Sequence, residues 1–136
     1  MEHFQPLVRR FFWVLLFSIV GITALGLGIM LVANRPPPAL VALLPVVIAS
    51  FDAGREFRRR TGEGPRGSAA WVLSVTFFAV NLGLSLFVLV GGLWSAGMLD
   101  MLKPSEIGIL ALPITIFAVV WFATIRVMLW ISGSIR

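Results

Sequence analysis

Four stretches of the sequence contain no charged residue, and their lengths constrain the fold more than any other feature. They cover residues 11–34, 36–51, 67–99 and 107–125. A helix needs about 20 apolar residues to cross the ~30 Å hydrocarbon core of a bilayer. The first and fourth stretches are therefore long enough to span a membrane as they stand, and the third is longer than one straight span requires.

The composition also indicates a membrane protein. Hydrophobic residues make up 59% of the chain and charged residues 12%, whereas about 25% of a typical soluble domain is charged. The net charge is +5, and the basic residues flank the apolar stretches. We therefore attribute this charge to orientation in an anionic membrane and not to binding of nucleic acid.

The second stretch, 36–51, is too short for a straight span, at about 24 Å of helix. The helix either continues through Asp52 toward Phe57, with its polar side chains reaching the headgroups, or the segment is re-entrant. We favour the continuous helix and expect Pro45 to kink it. The predicted helices cover about residues 9–33, 36–57, 69–94 and 106–131, with a basic cytoplasmic loop at about 58–67.

Short connections between these helices predict an all-α membrane protein, with four transmembrane helices in an antiparallel up-down bundle. Eight basic residues lie on one side of this arrangement and two on the other. Positive charge accumulates on the cytoplasmic side, so we expect both termini in the cytoplasm. The eight residues are Arg9, Arg10, Arg55, Arg58, Arg59, Arg60, Arg66 and Arg136, and the two are Arg35 and Lys103.

The sequence offers little material for catalysis. It contains no cysteine and one histidine, His3, so one chain cannot build a thiolate site or a zinc site of several histidines. None of the carboxylates lies in the middle of an apolar stretch. We therefore expect no enzymatic activity, no catalytic residue, no metal and no cofactor.

Four charged residues near one membrane surface form a candidate polar cluster. Asp52, Arg55 and Glu56 share one helical face, which suits either a proton or cation site or a salt-bridge cluster that closes the helix end. Arg126 is the only charge within an otherwise apolar helix, at a depth that matches Asp52. We predict an ion pair between Arg126 and Asp52, or alternatively Glu56. The remaining alternative is that Arg126 extends to the headgroups by itself.

The basic stretch from Arg55 to Arg66 has two interpretations. It contains five arginines, and such a cluster beside a membrane helix can bind anionic lipid headgroups. Positive loops are also routine signals of orientation, without any further role. We expect contact with anionic headgroups here and leave a further role open.

A polar face on the third predicted helix carries Ser74, Asn81 and Ser85, with Asn81 near the bilayer centre. Polar side chains in lipid normally face neighbouring helices, so we expect this face to be buried by protein, or else to line a solute pathway. Small residues form similar faces on the first and fourth helices, where they allow helices to approach closely. These residues are Ser18, Gly21, Ala24 and Gly28 on the first, and Gly108, Ala111, Thr115 and Ala118 on the fourth.

The segment 39–71 carries a pattern of small and helix-breaking residues. It consists of Ala39, Leu40, Pro45, Ala49, Gly54, Phe57, Gly62, Pro65 and Trp71. With this pattern the chain resembles a family of small bacterial inner-membrane proteins, named after an Acinetobacter locus tag, that have four predicted helices and no assigned function. The resemblance implies the same membrane topology in the inner membrane of a bacterium, and it supplies no catalytic residue.

Two functions agree with these features. The first is an integral membrane protein without enzymatic activity that serves as an accessory, assembly or packing subunit of a membrane complex or a homo-oligomer. The second is a small transporter or channel that uses Asn81 and a rim formed by Asp52, Glu56 and Arg126. We favour the first, because small-residue faces specify assembly, whereas nothing identifies a substrate.

Overall fold

The chain is all-helical in a computed structural model that describes residues 4–35, 39–98, 100 and 103–135. The elements of this described part are α1 (Phe4–Ala33), a 3-10 helix (Ala39–Leu43), α2 (Leu44–Thr61), α3 (Gly67–Ser95) and α4 (Pro104–Ser134). Among them, three segments are long and apolar enough to cross a membrane. These are Phe4–Ala33, Gly67–Ser95 and, within α4, Ala111–Ser134.

Helix ends follow the local sequence. Pro104 lies in the first turn of α4, where its missing N–H has no partner to lose. At the end of α1, Asn34 adopts a positive φ of 56°, and its N–H donates to the Met30 carbonyl at 3.1 Å. Asparagine tolerates this left-handed conformation better than most residues and is therefore a suitable helix terminator.

The second helix differs from its expected form. Residues 39–43 form a 3-10 turn, and the α-helix begins at Leu44 with Pro45 in its first turn. Pro45 therefore starts this helix and does not kink it, because a proline N–H is dispensable at that position. The helix continues past the expected end at Phe57 and closes on Gly62, whose φ is +80°. Residues 36–38, where we expected it to begin, lie outside the described residues.

Contacts between helices show that consecutive helices run antiparallel. Arg10 near the start of α1 meets Glu56 in the second half of α2, and Phe11 stacks on Phe77 in the first half of α3. Gly54 of α2 lies against Leu129 near the end of α4. We call this region of the molecule the closed end, formed by residues 7–15, 46–57, 70–77 and 125–132.

The hydrophobic core lies at the closed end. The rings of Phe11 and Phe77 are parallel within 5°, with centroids 4.1 Å apart, at its centre. Both side chains are fully buried. The other core residues are Leu7, Leu15, Val46, Ala49, Ala53, Phe57, Leu73, Ile125 and Leu129.

The other half of the molecule has a different character. Residues 20–33, 86–95 and 111–120, which we call the open end, are mostly exposed. Val32, for example, is 90% exposed. Three of the four helices that surround the core at the closed end, α1, α3 and α4, therefore continue beyond it with mostly exposed side chains.

Candidate functional site

A network of charged side chains joins α1 to α2 at the closed end. The Arg10 guanidinium donates two hydrogen bonds to the Asp52 carboxylate, from Nε to Oδ2 at 2.7 Å and from Nη2 to Oδ1 at 2.9 Å. Its Nη1 also lies 3.3 Å from Glu56 Oε2. A planar guanidinium matches a carboxylate in this paired geometry. We call Arg10, Asp52, Glu56, Arg59 and Arg60 the rim cluster.

Glu56 is the most enclosed member of the rim cluster, with a side chain that is only 5% exposed. Arg60, four residues later, donates from Nε to Oε1 at 2.8 Å, and Arg59 Nη1 lies 3.8 Å from Oε2. Both carboxylates of the cluster therefore face guanidinium groups. This arrangement suits a salt-bridge cluster that links two helices better than a proton or cation site, because the carboxylate oxygens already have guanidinium partners.

Arg126 does not join the rim cluster, so the expected ion pair with Asp52 or Glu56 is wrong. Its guanidinium carbon lies 4.4 Å from the centre of the Trp71 ring, at the start of α3. A guanidinium over an indole face makes a favourable cation–π contact. Residue counting predicted that Arg126 and Asp52 have similar depths, but it did not show that Arg126 lies on the face of α4 that meets α3.

The partner that sequence reasoning missed is Arg10. It lies in α1, whose antiparallel packing on α2 brings it to the level of Asp52. The sequence could have indicated this partner, because the start of the first helix and the end of the second helix lie at the same end of an antiparallel pair. Arg55, which we placed in the cluster, is exposed and borders the same shallow groove as Arg10 and Asp52.

Glycines set the close approach of α4 to α2 and to the loop after it. A Cβ atom on Gly54 would overlap the hydroxyl of Ser132. A Cβ atom on Gly64 would lie 2.7 Å from the Gly133 carbonyl oxygen. Arg58 adds hydrogen bonds across the same contact, from Nη1 to the carbonyl oxygens of Gly133, at 2.8 Å, and Ile135.

The polar face of α3 lies against other helices. Ser74 is fully buried, and its hydroxyl donates to the Ala70 carbonyl at 2.7 Å. Asn81 is 2% exposed, and Ser85 is half-buried. Within the described part of the chain, the Asn81 amide nitrogen and the Trp121 indole nitrogen are both buried without a hydrogen-bond partner.

Asn81 and Trp121 also contribute to the wall of a cavity of about 620 Å³. Its walls come from α1 between Ile19 and Met30, from Val41 to Val46, from α3 between Asn81 and Leu89, and from Trp121. Most of the lining is apolar, and none of its described residues is charged. We call it the Asn81 cavity.

The Asn81 cavity and the groove at the rim cluster lie at different levels of the bundle. Between them along the helices lie the stacked rings of Phe11 and Phe77, together with Leu15, Ala49 and Leu73. All five side chains are fully buried. The core therefore separates the cavity from the charged groove.

No family model, curated protein or solved structure matches this chain. Among the described residues, no group of three or more histidine, cysteine, aspartate or glutamate side chains could hold a metal ion. Its function is therefore inferred from three features: the rim cluster, the Asn81 cavity and the open end.

Proposed function

We propose that this chain is a bacterial inner-membrane protein with four spans and both termini in the cytoplasm. In this proposal it has no enzymatic activity and serves as an accessory, assembly or packing subunit of a membrane complex or a homo-oligomer. The exposure of the small-residue faces on α1 and α4 carries the proposal.

Those faces find no partner among the described residues of the chain. Gly21, Ala24 and Gly28 on α1 are exposed, as are Ala111 and Thr115 on α4. A Cβ atom placed on Gly21, Gly28 or Gly108 would meet nothing within 4 Å. Small residues in membrane helices favour close helix packing, so a helix of another subunit is the natural occupant of these faces.

The position of α2 supports a fourth span. It contacts α1 on one side and α4 on the other, and it buries Val46, Ala49 and Ala53 between them. Its 18 residues extend about 27 Å, and the preceding 3-10 helix adds to this length. Its charged half lies at the closed end, where headgroups would solvate it.

The distribution of arginine supports a cytoplasmic closed end. The start of α1, the end of α2 and the loop after it carry Arg9, Arg10 and the arginines from Arg55 to Arg66 at this end, whereas Arg35 and Lys103 flank the open end. Positive charge accumulates on the cytoplasmic side of bacterial membranes. Exposed Arg55, Arg59 and Arg66 would contact anionic headgroups there.

Purification of the tagged protein in mild detergent, followed by native mass spectrometry, tests the assembly role. We expect either a stoichiometric membrane-protein partner or a defined homo-oligomer. A monomer that remains alone, both in detergent and in membrane fragments extracted without detergent, would contradict the proposal. Reporter fusions at residue 100 and at the C-terminus test the topology and should report opposite sides of the membrane.

A small transporter is the second candidate, and the Asn81 cavity is the observation that favours it. A polar side chain beside a cavity inside a bundle is a common feature of solute sites. Two observations weigh against it: the core separates this cavity from the rim cluster, and Arg126 stacks on Trp71 away from Asp52 and Glu56. Flux through proteoliposomes that Asn81→Leu abolishes without unfolding the protein would favour the transporter.

A further inference from the structure

A groove with a volume of about 330 Å³ lies between the start of α3 and the last turns of α4, at the closed end. Two arginines line it, Arg66 directly before α3 and Arg126 on α4. Val127 and Trp130 of α4 also line it, and the described lining residues include no carboxylate. We call it the α3–α4 groove. It combines two positive charges with an apolar wall.

Both arginines of this groove are accessible to a ligand. Arg66 is exposed and Arg126 is half-buried. Within the described part of the chain, every ion pair involves Asp52 or Glu56, and neither of these two arginines joins one. The contact of Arg126 with the Trp71 ring uses none of its five N–H donors. Its nitrogen atoms, moreover, are not among the buried side-chain atoms that lack a partner.

The charges of the α3–α4 groove define the chemistry of its ligand. Planar guanidinium groups match the oxygen atoms of a phosphate, to which they donate in pairs. The ammonium group of a zwitterionic headgroup would find no carboxylate among the described lining residues, and the two arginines would repel it. A phosphate without an adjoining positive charge therefore fits the groove best.

The apolar wall favours a lipid as the source of this phosphate. Trp130 is 69% exposed and Val127 is 48% exposed, so both present apolar surface beside the arginines. Tryptophan is enriched at the level of the headgroups, where one part of its ring system meets apolar chains. An acyl chain can lie along this surface of α4 while its phosphate stays between the arginines.

We propose that the α3–α4 groove binds one phospholipid with an anionic headgroup, whose phosphate lies between Arg66 and Arg126. This inference rests on the proposed function, which places the closed end among the headgroups of the cytoplasmic surface. It deepens that proposal, because the groove is one defined site, whereas exposed arginines attract anionic lipids without a fixed position.

Native mass spectrometry of the full chain in detergent tests the site with three probes. They are a short-chain phosphatidylglycerol, a phosphatidylethanolamine with the same acyl chains, and glycerol phosphate, which has no acyl chain. We expect saturable binding of one phosphatidylglycerol per chain. Phosphatidylethanolamine should bind at least about five-fold more weakly, because its ammonium group faces two arginines. Glycerol phosphate should not bind in the same concentration range.

Matched variants assign the binding to the α3–α4 groove. Arg66→Gln and Arg126→Gln each remove one positive charge and should each weaken phosphatidylglycerol binding about five-fold. Arg66→Lys keeps the charge and should retain most of the affinity. Arg9→Gln removes the same charge from α1, outside the groove, and should bind like the wild type. Because Arg66 is exposed, Arg66→Gln keeps the test decisive even if Arg126→Gln weakens the contact with Trp71.

Four results would overturn the proposal. Phosphatidylethanolamine could bind as tightly as phosphatidylglycerol, glycerol phosphate could bind as tightly as either lipid, Arg9→Gln could weaken binding as much as the groove variants, or no probe could show saturable binding. Binding in detergent depends neither on the orientation in the membrane nor on a partner subunit. Failure of this site is therefore distinguishable from failure of the proposed function, which the reporter fusions and the oligomeric state test.

Discussion

The closed and open ends of this molecule share α1, α3 and α4 and contain similar residues, but α2 belongs only to the closed end, and the surroundings of the two ends differ. At the closed end, Gly54 lies so close to α4 that a Cβ atom would collide with it, and the same holds for Gly64 in the loop after α2. At the open end, a Cβ atom on Gly21 or Gly28 would meet nothing within 4 Å. Apolar side chains follow the same division, since Phe77 is fully buried and Phe87 is 77% exposed.

The contrast shows what a small-residue face does and does not specify. In a membrane, apolar exposure carries little cost, because lipid chains are as apolar as the side chains they surround. A face of small residues therefore predicts close approach of some backbone, but it does not say whether that backbone belongs to the same chain. At the closed end, the small residues pack against helices of the same chain. At the open end, we propose that they pack against another subunit.

The largest expected difference between the two ends concerns aromatic side chains. Phe77→Ala removes a fully buried ring that stacks on Phe11 and should lower the free energy of unfolding by about 3 kcal/mol, because it leaves a cavity. Phe87→Ala at the open end should change it by less than about 0.5 kcal/mol. Denaturation in mixed detergent micelles measures both, and equal losses would remove the distinction between the ends.

Glycine substitutions should give the next largest effect and separate stability from assembly. Gly64→Ala places a Cβ atom against the Gly133 backbone and should cost about 1–3 kcal/mol of stability. Gly28→Ala meets open space, so the stability of the single chain should stay the same or rise by up to about 1 kcal/mol. It should nevertheless weaken the assembly, as seen in the oligomer fraction by native mass spectrometry. A Gly28→Ala chain that assembles normally would indicate that this face contacts lipid.

The rim cluster should give the smallest effect, because Arg10 and Asp52 are 43% and 32% exposed in their side chains. A double-mutant cycle of Arg10→Ala and Asp52→Ala should show a coupling of up to about 1 kcal/mol. The matching cycle of Arg126→Ala with Asp52→Ala should show none, because Arg126 contacts Trp71. Coupling in the second cycle alone would restore the pairing that the sequence suggested.

Much of the fold could be predicted from the sequence, because charge-free stretches and their lengths specify membrane helices directly. The inward position of Asn81 and Ser74 follows equally from the cost of polar groups in lipid. The partner of Asp52 could not be predicted, since residue counting gives the depth of Arg126 but not the direction in which its helix face points. Pro45 illustrates the same limit: counting located it within an apolar stretch, and only the 3-10 turn before it shows that it starts the helix.

The sequence contains no cysteine, so single cysteines can report directly on what covers the open end. Ala111→Cys and Thr115→Cys lie on the exposed face of α4, and Val75→Cys on an exposed position at the closed end serves as control. Each cysteine is labelled with a thiol-reactive photocrosslinker, which forms a bond with any neighbouring protein. Illumination in native membranes should convert the first two into a covalent dimer or an adduct of defined mass, and leave the control as a monomer. Absence of any cross-linked product at both open-end positions, in membranes where the protein is folded, would contradict the claim that another subunit completes this end.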